Sequence, residues 1–113
     1  MKVAFLLLAF TGTLLPAQNA ASKGDVKNGK RLYVSYGCYQ CHGREGQGSS
    51  ATGPRLGPKP IPLQAFVSYV RRPTGQMPPY TTKVVPDSEL ADIHAFLESL
   101  PQPPPLKSIP LLN

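Results

Sequence analysis

Five consecutive residues, Cys38-Tyr39-Gln40-Cys41-His42, constrain this chain more than any other stretch. Cysteines at i and i+3 lie about one helical turn apart on one side of the backbone, and a histidine follows at once. Two thiols so placed can add to vinyl groups on neighbouring pyrroles of a porphyrin. With the ring pinned beside it, an imidazole nitrogen falls over the metal. The C-x-x-C-H pattern therefore reads as the attachment segment of one covalent haem c, with Cys38 and Cys41 as the thioether residues and His42 as the proximal iron ligand. Other uses of such a pair fail on the rest of the sequence. No βαβ pattern surrounds it as a thioredoxin-like dithiol requires, no second pair completes a zinc tetrahedron, and two cysteines make no disulfide framework.

The 113 residues amount to one small domain at most. Residues 1–21 read as a cleaved secretory signal peptide. Lys2 gives the positive start, Val3 to Phe10 the apolar run, and Pro16 ends any helix ahead of the small residues Ala17, Ala20 and Ala21. The run is short of the ~20 apolar residues of a spanning helix, so the expectation is a periplasmic protein whose mature chain has no stable membrane insertion. About ninety residues would remain, a size at which folding buries only roughly 60–65% of the unfolded chain's surface. A large, flat, apolar haem supplies a centre against which short helices can pack.

Formal charge is +6, unevenly spread. Ten Lys or Arg stand between Lys23 and Lys83 against Asp25 and Glu45, whereas Val84 to Asn113 holds four acids against Lys107. The basic excess suits docking to redox protein partners with an acidic surface. Nucleic acid, the other common partner of a basic chain, does not fit an exported protein with a single covalent haem.

Along the chain, Asp25 can cap a first helix that runs to about Tyr36, with Gly37 as its stop. Val26, Gly29, Tyr33 and Tyr36 form its expected buried stripe. Glycine inside a helix costs about 1 kcal/mol relative to alanine, so Gly29 predicts a second helix crossing closely there. Gly43 to Pro60 reads as loop, without the G-K-[ST] of a phosphate-binding turn. In it, a backbone carbonyl beside Pro54 could accept the remaining N–H of His42 and fix the imidazole. A second helix is expected over about Leu63 to Arg71, with Leu63, Phe66, Val67 and Val70 inward and Pro73 stopping it. Arg71 and Arg72 at its end either complement the helix dipole from solvent or reach a haem propionate.

Gly75-Gln76-Met77-Pro78-Pro79-Tyr80 follows as a restricted loop. Once the signal is removed Met77 is the sole thioether, and a proline-stiffened loop 35 residues beyond His42 can present it as the distal iron ligand. A final helix from Asp87 or Ser88 to Leu100 has Leu90, Ile93, Phe96, Leu97 and Leu100 as its buried stripe. His94, off that stripe, is expected to be exposed and not a ligand. Residues 101–113 read as a proline-rich tail, extended or polyproline II.

In this order of elements the chain resembles the class I cytochromes c, small all-helical monohaem proteins, over Lys23 to about Pro101. The resemblance implies an all-α domain at 22–100, with three main helices and loops wrapped around one covalent haem. It also implies axial ligation by His42 and Met77, with Pro54 supplying the carbonyl that holds the histidine. Gly29 with Tyr33 and Ile93 with Phe96 match the family's crossing of first and last helices. The function implied is an extracytoplasmic one-electron carrier rather than an enzyme, since His/Met ligation leaves the iron no open position. The alternatives are a cytochrome c subunit of a membrane-associated or periplasmic dehydrogenase complex, strapped on by its tail, and an enzyme or sensor in which Met77 leaves the iron.

Overall fold

The computed structural model describes residues 23–112, so the signal peptide expected at 1–21 lies outside the described residues. The architecture is all-α, with no β-strand among the described residues. It comprises α1 (Val26–Ser35), a single turn α2 (Tyr39–His42), α3 (Leu63–Arg71) and α4 (Asp87–Glu98). The two cysteines and the histidine thus fall on α2 and the residue before it.

Local chemistry fixes the ends of α1. The Asp25 carboxylate accepts from the Asn28 N–H at 2.9 Å, the expected N-cap. At the other end Gly37 takes φ +78°, with Gly37 N–H bonded to Val34 O at 3.0 Å and Cys38 N–H to Tyr33 O at 3.1 Å. That double closure is a Schellman motif, and it reverses the chain directly into Cys38. The helix stop is therefore also the device that aims the first thiol.

α1 crosses α4 at Gly29, as the glycine predicts. A Cβ there would lie 1.9 Å from the Asp92 carbonyl oxygen, so only glycine lets the two backbones approach so closely. The crossing is tied by Asp92, whose carboxylate accepts from Asp25 N–H at 2.7 Å and from Asn28 Nδ2 at 2.8 Å. The Tyr33 and Phe96 rings meet beside it, centroids 5.4 Å apart and tilted at 55°. Around this contact the core gathers Leu32, Tyr33, Phe66, Val70, Val85, Leu90, Ile93, Phe96 and Leu97.

The structure corrects four details of the periodicity reading. Leu32, not Val26, completes the buried face of α1; Val26 is exposed. Leu100 lies beyond α4 and is only partly buried. His94 is buried rather than exposed, 6% accessible. Its Nε2 is 2.8 Å from Ile61 O, its Nδ1 3.7 Å from a Glu98 carboxylate oxygen, and its ring stands edge-on to Phe66. It is covered by Phe66 of α3 together with the Pro60–Pro62 segment, and the phase of α4 alone reveals neither. The tail is extended only to Pro105 and then forms two 3-10 turns, Leu106–Ser108 and Pro110–Leu112.

Candidate functional site

Three segments frame the site: one wraps the α2 turn directly, and two pack against the shared core. The first is the glycine-rich loop that follows α2. Gly48 N–H bonds His42 O at 2.8 Å, Thr52 Oγ1 donates to Cys41 O at 2.7 Å, and Ser49 and Gly53 pair in an isolated antiparallel bridge. This wraps the loop back over the turn. It brings Pro54 O to 2.9 Å from His42 Nδ1, the contact expected from the sequence. Gly53 lies against the imidazole so closely that a Cβ on it would stand 3.1 Å from both Nδ1 and Cε1. Tyr33 Oη closes the arrangement from α1 by donating to Gly43 O at 2.8 Å.

The consequence for His42 is chemical. A carbonyl can only accept, so Nδ1 carries the proton and Nε2 presents its lone pair. No described residue engages Nε2. A buried imidazole held in one tautomer, with its outer nitrogen unpaired, is suited to a metal. Yet among the described residues no group of three or more His, Cys, Asp or Glu could hold a metal ion. Iron carried in a porphyrin brings most of its own ligands and asks only axial ones of the chain.

The thiols fit the same group. Both cysteines are free, Cys38 partly buried against the core and Cys41 exposed, on one side of a single helical turn. Burial pushes the Cys38 thiol up to about 11, so it is held neutral. Arg44 stacks over the Tyr39 ring, 5.1 Å from its centroid.

The second segment is the loop after α3. Met77 is partly buried and packs against the core, and so does Tyr80. The third is α3 itself, which gives Phe66 and Val70 to the core. Arg71, expected with Arg72 either in solvent or on a propionate, is largely withdrawn from solvent. Nη1 donates to Tyr80 O at 2.7 Å and Nη2 pairs with the Asp87 carboxylate at the start of α4. Its Nε is buried with no hydrogen-bond partner among the described residues.

Sequence reading missed Gly48, Thr52 and Tyr80. A signal for the first existed in the close run of glycines after His42, where Gly43, Gly46 and Gly48 all take positive φ. Tyr80 offered none, since its phenol reaches a residue 44 positions earlier.

A helical domain of this size, with a cysteine pair and an oriented histidine on one turn, defines a c-type cytochrome. Residues 24–97 match the family model described as cytochrome c oxidase, cbb3-type, subunit III, and the chain belongs to that family. Among curated proteins and solved structures none matches the chain significantly. As a c-type cytochrome the chain carries haem c covalently, at its one cysteine pair Cys38 and Cys41. Bound there, the haem supplies a one-electron iron couple, and electron transfer is the activity of such domains.

Proposed function

We propose that the protein is an exported one-electron carrier whose haem iron is held by His42 on one side and Met77 on the other. The observation that carries this reading is the 2.9 Å contact of His42 Nδ1 with Pro54 O, which leaves Nε2 as the ligating atom. Met77 supports it as a partly buried thioether on a loop packed against the same core. With both axial positions filled, the chain's own task reduces to holding two ligands still. Little reorganisation on oxidation or reduction then suits fast transfer, and a soft thioether favours the reduced iron.

Export is supported by the N-terminal pattern and by the typically extracytoplasmic setting of such domains. Among the described residues no helix is long and apolar enough to cross a membrane. The partner is a redox protein with an acidic docking surface, matching the basic excess between Lys23 and Lys83. A second reading, as a cytochrome subunit of a dehydrogenase complex, is favoured by the exposed Leu106 and Leu111 of the tail.

The ligand set is tested on the oxidised holoprotein, which should show the weak near-red charge-transfer band of an iron–methionine bond. Met77→Ala should abolish the band, lower the reduction potential and admit carbon monoxide to the reduced iron. A wild-type protein that lacks the band and binds carbon monoxide rapidly would overturn the carrier assignment in favour of a sensor or enzyme.

A further inference from the structure

The loop that carries Met77 is held unequally at its two ends. Beyond the tight turn at residues 75–76, no hydrogen bond restrains residues 75–79 among the described residues. Pro78 and Pro79 have no N–H to give, and at Gly75, φ +67°, a Cβ would meet nothing within 4 Å. Tyr80, in contrast, is fastened three ways. Its N–H bonds Val70 O at 3.1 Å, its carbonyl accepts from Arg71 Nη1 at 2.7 Å, and its phenol donates to Tyr36 O at 3.0 Å. The first two bonds fix Tyr80 to α3. The third ties it to the reversal two residues ahead of Cys38, the segment that holds the haem.

Three Cα–Cα steps separate Tyr80 from Met77, at most about 11 Å, and both residues between them are prolines with φ fixed. A restraint on Tyr80 is therefore passed to Met77 with little slack. We propose that Tyr80 is the positioning residue for Met77, its hydroxyl latching the methionine loop to the haem-attachment segment through the Tyr36 carbonyl. The Arg71 bridge between Tyr80 O and Asp87 backs the latch from the side of α4. This inference rests on the reading of Met77 as an iron ligand.

The test compares holoprotein variants by the near-red band, by cyanide affinity of the oxidised form and by carbon monoxide binding to the reduced form. Tyr80→Phe keeps the ring and removes only the hydroxyl. The population with the loop open should rise about ten-fold, the equivalent of one hydrogen bond's net contribution. Cyanide affinity and the carbon monoxide rate should rise with it, while the band weakens. Asp87→Asn, on the exposed side of the bridge, should move both in the same direction by less. Tyr69→Phe, which frees the far end of the loop at Thr74, should move neither. If wild type shows the band and Tyr80→Phe binds both ligands as wild type does, the latch is wrong while Met77 ligation stands. A Tyr69→Phe effect equal to that of Tyr80→Phe would reduce the finding to general loosening and overturn the latch as well. Absence of the band from wild type overturns the ligand assignment and the latch together.

Discussion

At Gly48 two separate constraints meet on one residue. Its φ of +66° is disfavoured for any side chain, and a Cβ on it would lie 2.4 Å from the Arg55 amide and 2.5 Å from the Pro54 carbonyl carbon. Gly48→Ala must therefore push away the very peptide that holds His42. Backbone strain of about 1–2 kcal/mol adds to the loss of the carbonyl that orients the imidazole. The expected outcome is a destabilisation of ~2 kcal/mol or more in denaturant titrations followed by haem absorbance, with the reduction potential moved as well. Gly75→Ala is the matching control, since its φ is as positive while open space surrounds it; it should cost no more than about 1–2 kcal/mol. Equal losses at the two positions would mean that backbone strain alone matters and that the Pro54 carbonyl is not being displaced.

Between elements, the decisive contact is that of α1 with α4. Replacing Gly29 with valine puts a branched side chain where a backbone carbonyl already stands, so the two helices must part. The Asp92 bonds and the Tyr33–Phe96 pair are strained with them. A loss of about 1–3 kcal/mol or more is expected in thermal or denaturant unfolding of Gly29→Val holoprotein. Unchanged stability would show that the approach is not needed. This crossing was legible in the sequence because a glycine inside an otherwise regular helical stripe weakens the helix unless a neighbouring backbone needs the space. The α3 boundaries were legible for a similar reason, bracketed by Pro62 and Pro73. His94 was not, because Phe66 of α3 and the proline-bounded segment before it close over this position, and the phase of α4 alone shows neither. The site divides in the same way. Cys38, Cys41 and His42 are adjacent in the chain, and Pro54 follows in the next loop. The latch at Tyr80 depends on a side chain bonding to a backbone carbonyl across 44 residues, which leaves no local pattern.

Taken whole, the domain is small for what it must hold together. Nine buried apolar side chains form the core among the described residues, and Cys38, Tyr39, Met77 and Tyr80 are among the partly buried residues packed at its edge. Chains of this size fold marginally without a cofactor or cross-link. Protein made in the cytoplasm without haem attachment should accordingly lack a cooperative thermal transition in far-UV circular dichroism. A native-like transition in that apoprotein would show the polypeptide core to be sufficient.

The Asp92 carboxylate joins positions 25 and 92, close to the two ends of the folded region. Assembly is therefore a matter of timing. A chain emerging from its amino end exposes the cysteine pair long before α4 exists, and α1 has nothing to lie against until some fifty further residues have followed. Contacts so distant along the chain form late, because the intervening loop must first be closed. During that interval the Cys38–His42 turn remains an accessible stretch of open polypeptide. Haem can be joined to it before the last helix shuts the domain and makes the arrangement permanent.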